Sequence, residues 1–310
     1  MRHPFRPRTR AAGIALAACL AIVLAYVGIC AALWARQQAL VFVPDPVVRR
    51  TPGDLGIPYV ERSIPVGTHG VVAAWWLPST RAAADNVALL YLHGNDGNLG
   101  QEVERLAALR DPGLPILAID YRGYGRSSGP PPSEAQVYAD AAAAVEYLQR
   151  GAEGTGAIIV YGHSLGSAVA AELALRRLPI CALVLEGAFT SMADMARAEY
   201  PWIPIDVLLH QRFDTRAKLS RIDVPIAFVH GGADEIVPRT MMDRLYAAAR
   251  GSKRAIVVPG ANHEHALPNG RVRIAAAIAE LAGGCAGRRS DQSSDTSSLR
   301  RLGGMNDSRK

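Results

Sequence analysis

Four cysteines in 310 residues are too few for a disulfide framework, and their spacing suggests no pairing. The 29 glycines follow no triplet period, and no repeat of solenoid length occurs, which excludes collagen-like and repeat architectures. The loop G-x-x-x-x-G-K-[ST] that cradles nucleotide phosphates is missing, and so is the zinc motif H-E-x-x-H. Gly123-Tyr124-Gly125-Arg126-Ser127-Ser128-Gly129 has the wrong spacing for a dinucleotide fingerprint. The chain is not strongly charged in its middle either. Its net charge of +6 resides at the ends: Arg2, Arg6, Arg8 and Arg10 at the start, and six basic against three acidic residues from Cys285 onward. A roughly neutral middle offers no track for a phosphate backbone, so nucleic acid is not an expected partner.

What is present is a high apolar fraction, 49%, which rules out a disordered chain and permits a large buried core. Part of it is a single run. Ala11–Ala35 carries no charge over 25 residues. At 1.5 Å per residue, about 20 apolar residues cross a bilayer core of roughly 30 Å, so this run predicts a transmembrane anchor. Trp34 suits an interface at its end. The four arginines before the run outweigh Arg36 close behind it, with Arg49 and Arg50 further on. This places residues 1–10 in the cytoplasm and the main domain outside it, in the periplasm if the Ala- and Arg-rich composition reflects a bacterium. A cleaved signal peptide is the competing reading. So is a lipoprotein box at Leu16-Ala17-Ala18-Cys19, although the chain stays apolar for sixteen residues beyond that cysteine. From residue 284 the chain is rich in Ser, Arg and Gly without apolar periodicity and reads as a disordered tail.

Residues 36–283 read as one α/β domain. Tyr59–Val66 and Val71–Leu77 predict an antiparallel hairpin. Six continuous apolar runs follow: Val87–Leu92, Pro115–Asp120, Ala157–Gly162, Ala182–Gly187, Pro225–His230 and Ala255–Gly260. Runs of this kind suit strands buried on both faces of a parallel sheet. Helical patterns lie between them, at Ser133–Arg150 with the capping box Ser133-x-x-Gln136, at Ser164–Leu178, at Met241–Arg250 and at Arg271–Leu281. Strand–helix alternation predicts a doubly wound sheet with its site at the carboxyl ends of the strands.

Gly162-His163-Ser164-Leu165-Gly166 stands where a predicted strand meets a predicted helix. That is G-x-S-x-G in the setting a nucleophile elbow requires, with Ser164 exposed above the sheet and a helix N-terminus behind it. A serine hydroxyl needs a base held by an acid. On such a fold the acid follows the serine, and the histidine follows the acid. His263, just after the last strand, is the chosen base, with His265 as fallback. His230 reads as a packed strand-end residue. Asp234, in Gly231-Gly232-Ala233-Asp234, is the chosen acid, with Glu186 as competitor. The oxyanion hole would use the backbone N–H of Leu165 and one from His93-Gly94-Asn95-Asp96-Gly97-Asn98, with Asn95 preferred.

These segments together carry a resemblance. LYLHGNDGN (Leu90–Asn98), DYRGYGRSSGPPPSEAQVYADA (Asp120–Ala141), YGHSLGSAVA (Tyr161–Ala170), LEGAFTSM (Leu185–Met192), HGGADEIVP (His230–Pro238) and PGANHEH (Pro259–His265) resemble the α/β-hydrolases. The subgroup is that of N-terminally membrane-anchored or acylated proteins related to serine aminopeptidase and monoglyceride-lipase-type hydrolases. The resemblance spans about Val41–Leu281. It implies a Ser164–Asp234–His263 triad, Asn95 and Leu165 as oxyanion donors, and no cofactor. Members of the subgroup include depalmitoylating thioesterases and lysophospholipid lipases. Residues 190–223 stand where such hydrolases insert a lid, here apolar through Met192, Met195, Trp202, Ile205 and Val207. The expected function is a serine hydrolase of lipid-like carboxylic esters or thioesters near a membrane. Amide cleavage and a catalytically silent binding module are the alternatives.

Overall fold

The computed structural model describes residues 7–68, 70–81, 86–151, 153 and 155–303. Arg2 and Arg6, His69 of the predicted hairpin turn and positions 304–310 lie outside them. Eight strands form the central sheet: β1 (Val60–Val66), β2 (Gly70–Leu77), β3 (Val87–Leu92), β4 (Ile116–Ile119), β5 (Ala157–His163), β6 (Ile180–Glu186), β7 (Ile226–Gly231) and β8 (Lys253–Val258). Their spatial order is β1-β2-β4-β3-β5-β6-β7-β8. β2 runs antiparallel to both its neighbours, and every other pairing is parallel.

Burial follows position in the sheet. Every residue of the inner strands β3, β4, β5 and β7 is buried, whereas edge strands β1 and β8 are buried only in part. That explains one shift from expectation. The last strand begins at Lys253 rather than Ala255, because an edge strand tolerates charge where it finds partners: Lys253 Nζ donates to Tyr246 O (2.8 Å) and Ala249 O (2.7 Å), and Arg254 to Glu280 (2.5 Å). One apolar cluster fills each face of the sheet, around Leu90, Val160 and Phe228 on one and Leu89, Ile159 and Val229 on the other.

The helices are α1 (Pro7–Val41), α2 (Val103–Leu109), α3 (Glu134–Gln149), α4 (Leu165–Leu175), α5 (Met192–Glu199), α6 (Ile205–Leu208), α7 (Thr215–Leu219), α8 (Arg239–Ala248) and α9 (Ala266–Gly303). The Ser133 hydroxyl caps α3 by accepting from Gln136 N–H. α2 has no counterpart in the sequence reading, since seven residues are too few to display a helical period.

Two termini differ from expectation. α1 continues beyond Ala35 to Val41, and its last third is built into the domain. Cys30 packs with Ala193, Ile203 and Ile205 of the lid region. Gln37 donates to Leu208 O (2.9 Å) and accepts from the N–H groups of His210 (2.7 Å) and Gln211 (3.1 Å). At the other end α9 carries helical backbone past residue 283 to Gly303. Cys285 is buried and joined to Cys181 by a disulfide across 104 residues. The spacing of the cysteines could not show this, because only the fold carries α9 back over the start of β6.

In the loop-entropy picture, a cross-link closing about 100 residues contributes on the order of 4–5 kcal/mol. Alkylation of the denatured chain followed by mass spectrometry is expected to modify two cysteines, Cys19 and Cys30, without reductant and four with it. Four without reductant would overturn the pairing.

Candidate active site

The end of β5 turns sharply into α4 through Gly162-His163-Ser164-Leu165-Gly166. The strain of this turn sits on the serine itself, at φ +51°, ψ −117°. A non-glycine residue held there costs of order 1–3 kcal/mol and persists only where its surroundings impose it. Here Ser164 N–H donates to Glu186 O (2.9 Å), and Ser164 O accepts from the N–H (2.9 Å) and hydroxyl (2.6 Å) of Ser167. The two glycines serve a different need. A Cβ on Gly162 would lie 2.2 Å from Gly166 O, and one on Gly166 would lie 2.1 Å from Leu92 O. They allow the elbow to close on itself and on the end of β3.

The expected acid and base meet. His263 Nδ1 lies 2.7 Å from Asp234 Oδ2, while Asp234 Oδ1 accepts the N–H groups of Ile236 (3.0 Å) and Val237 (2.8 Å). Burial pushes the Asp234 carboxyl up. The bonds from His263 and Val237 outweigh it and hold the group below its ordinary range, so it stays ionised. The imidazole lies close against Gly187, where a Cβ would come 2.7 Å from its Cε1. The alternatives sit elsewhere. His265 is exposed and bonds to Asn262 Oδ1 (2.7 Å), and the buried Glu186 carboxylate meets Arg105 (2.5 Å) and Tyr161 (2.7 Å). His230 is buried at its strand end, its Nε2 3.1 Å from Val237 O.

The loop after β3 lies beside the serine, since a Cβ on Gly94 would be 3.5 Å from Ser164 Cβ. Asn95 is held by three contacts that leave its N–H unengaged among the described residues. Its carbonyl accepts from Val43 N–H (2.9 Å) and the Tyr124 hydroxyl (2.7 Å), and its amide donates to Val41 O (2.9 Å). Leu165 opens α4, so its N–H has no intrahelical partner. Beneath the loop, Asp120 Oδ1 accepts Leu99 N–H (2.9 Å). Gly125, at φ +49°, crosses so closely that a Cβ would lie 2.0 Å from Asp120 Oδ2. The glycine-rich segment excluded as a nucleotide motif therefore packs over this aspartate.

Ser164, His263 and Asn95 share a cleft of about 500 Å³. Its wall is more polar than expected: Glu102, Glu104, Arg105, Glu264 and His265 line it, with Ile236 and Pro268. Among the described residues, none from 190–223 does. The expected apolar lid packs instead on α1 and on the core, through Ile203, Ile205, Met192 and Met195. Sequence reasoning also passed over His163. It is buried, and burial, reinforced by Arg105, drives its imidazole well below the ordinary value and keeps it neutral. His163, His263 and Glu264 bring donor atoms within 4.8 Å of one another. His263 Nδ1 is committed to Asp234, however, and the Arg105 guanidinium stands 3.2 Å from the Glu264 carboxylate. This cluster is poorly suited to hold a cation.

Residues 87–214 match the family described as the alpha/beta hydrolase fold. The uncharacterized protein Rv2307c of Mycobacterium tuberculosis is 36% identical over 263 residues, covering 82% of this chain and 90% of its own length. The chain belongs to the α/β-hydrolase family. Protein bem46 of Schizosaccharomyces pombe is 30% identical over 213 residues (66% of this chain, 70% of its own). Lysophosphatidylserine lipase ABHD12 of Macaca fascicularis is 28% identical over 260 residues (71% and 65%). Among solved structures, the Pyrococcus furiosus esterase Pf2001 superposes with a TM-score of 0.65 at 20% identity, over 79% of this chain and 100% of its own. That likeness is one of fold.

In this α/β-hydrolase, Asp120 makes the site's support pH-sensitive. Burial lifts its carboxyl to about 7, against a partial lowering by Leu99 N–H. The folded protein therefore retains a proton that the unfolded chain loses near the ordinary carboxyl value of 3.8. The resulting stabilisation is complete below that value and disappears as pH rises through about 7. Between about pH 5 and pH 8 the melting temperature is expected to fall more steeply in the wild type than in Asp120→Asn. Equal slopes by differential scanning fluorimetry would overturn this.

Proposed function

We propose that this α/β-hydrolase cleaves carboxylic esters or thioesters through an acyl-enzyme on Ser164. His263 Nε2 takes the Ser164 Oγ proton as Oγ attacks the acyl carbon. The same proton passes to the departing alcohol or thiol. His263 then deprotonates a water that attacks the acyl carbon, the acyl–Oγ bond breaks to release the acid and the proton returns to Ser164 Oγ, while Asp234 holds the imidazole's tautomer and stabilises its charged form. The N–H groups of Leu165 and Asn95 receive the oxyanion, each contributing roughly 3 kcal/mol in the transition state. One observation carries this reading. A strained serine at a helix N-terminus shares a cleft with a histidine bound at 2.7 Å to a buried, ionised aspartate. The ABHD12 relative, named as a lipase, supports ester chemistry.

The substrate is proposed to be an acyl compound met at a bilayer, with the domain outside the cytoplasm. The positive-inside charge bias supports that side, and so does the Cys181–Cys285 disulfide, a bond that persists in oxidising compartments. α1 is exposed from Ala11 to Ile29, about 28 Å of helix, which matches a hydrocarbon core. Near the end of that stretch and beyond it α1 joins the lid: Tyr26 Oη donates to Trp202 O (3.0 Å), and the Trp34 and His210 rings stack edge-on at 5.9 Å. This continuity supports a lid face, with Trp202 and Val207 exposed, resting at the membrane interface.

Two experiments test these statements, both on the full chain because α1 and Cys285 are part of the fold. A fluorophosphonate is expected to label the wild type and not Ser164→Ala, and activity against aryl esters of increasing acyl length then defines the acyl preference. A folded wild type that neither labels nor turns over would overturn the hydrolase reading. In vesicles of brominated lipid, Trp34→Phe is expected to remain quenched through Trp202, and Trp34→Phe/Trp202→Phe to lose the quenching. Quenching unaffected by the second change would remove the lid from the interface.

A further inference from the structure

The cleft wall contains a buried ion pair that the hydrolytic steps do not use. Arg105 projects from α2 with its side chain 6% exposed, and it is bonded in every direction. Its Nε donates to Glu102 Oε2 (3.0 Å), and its Nη1 to Glu186 Oε2 (2.5 Å). Its Nη2 reaches both the main-chain oxygen (3.0 Å) and the carboxylate (3.2 Å) of Glu264. Glu264 is the residue after His263.

Glu186 is equally engaged. Its Oε2 also accepts the Tyr161 hydroxyl (2.7 Å), and its Oε1 accepts Leu267 N–H (2.9 Å), on the far side of the histidine loop. Its main-chain oxygen accepts Ser164 N–H (2.9 Å). The next residue, Gly187, is the one against which the His263 ring lies. One residue therefore touches the serine's backbone, the wall behind the imidazole and the loop that carries it.

We propose that the Arg105–Glu186 pair is a positioning device that sets the register between Ser164 and His263. The proposal rests on the serine-hydrolase reading above. Burying two charges is costly, and an apolar pair of similar volume is often as stable or more so, so packing alone does not account for this arrangement. What an apolar pair could not do is grip Glu264 O and Leu267 N–H. Those two main-chain groups bracket the short segment that follows His263 into α9. A planar guanidinium with donors in fixed directions suits the task, whereas an ammonium cannot span the same acceptors. Displacements of about 1 Å between a nucleophile and its base cost about 10²-fold in rate, so a pair that touches no reacting atom can still govern turnover.

The test compares Arg105→Met, Arg105→Lys and Arg271→Ala with the wild type in the full chain, each verified as folded by its melting transition. Arg271 also links α9 to the α2 side of the domain, through Asp111, but lies away from the cleft. Arg105→Met is expected to lose about 10²-fold in fluorophosphonate labelling rate and in kcat for a neutral aryl ester, with KM little changed. Arg105→Lys should be intermediate, added guanidinium should partly restore Arg105→Met, and Arg271→Ala should label like the wild type. If Arg105→Met does not fold, the kcat of Arg105→Lys decides. A folded Arg105 variant that labels within about 3-fold of the wild type would overturn the proposal. So would a loss confined to KM, which would mark Arg105 as a substrate contact. A wild type that does not label would instead remove the serine-hydrolase reading itself.

Discussion

The molecule is organised around one crowded crossing. The end of β3, the end of β5 and the start of α4 meet with carbonyl oxygens about 2 Å from where a Cβ would stand, and only Gly162 and Gly166 leave room for it. That closeness forces the intervening Ser164 into a left-handed backbone conformation. It also sets the loop after β3 against the serine. Every other part of the site is arranged relative to this crossing. The sheet order places β6 and β7 alongside β5, which brings Glu186, Gly187 and Asp234 to the same end of the sheet as the serine.

Support for the crossing comes from parts of the chain far apart in sequence. The segment after α1 pairs in parallel with the loop after β3, Val43 with Asp96 and Pro44 with Gly97. The Asn95 amide is tied to the last carbonyl of α1. A helix whose first half has the composition of a membrane span thus ends as a strut under the candidate oxyanion loop. On the opposite side, α9 begins at the histidine loop and is fastened to β6 by the Cys181–Cys285 bond. α1, the lid segment and the site are consequently joined by direct contacts.

Much of this was legible in the residues. The hairpin, the six apolar runs and three of the four helices stand within a few positions of where patterning put them, and the fourth lies inside the longer α9, because strands buried on both faces and capped helices leave local signatures. The placing of Ser164, Asp234 and His263 at one end of the sheet was legible for a related reason: strand–turn–helix punctuation marks the carboxyl ends of the strands. Features built from one or two residues at long range were not. Arg105 lies in a helix too short to show a period, and its partners come from residues 102, 186 and 264. Glu186 read as a rival acid because sequence places it at the right strand end without saying which way its carboxylate turns.

The sequence by itself determined the fold, the family and the order of the chemical groups, since each is written in local pattern and in glycine positions that tolerate no side chain. Only the tertiary structure decided which histidine meets Asp234, which cysteines join and what lines the cleft. It also decided that the apolar lid turns toward α1 rather than toward the serine. Those outcomes depend on distances between segments 29 residues apart for Asp234 and His263, 104 for the cysteines and 171 for Gln37 and Leu208, which periodicity does not encode. They are settled when buried donors and acceptors find partners and apolar faces find cover.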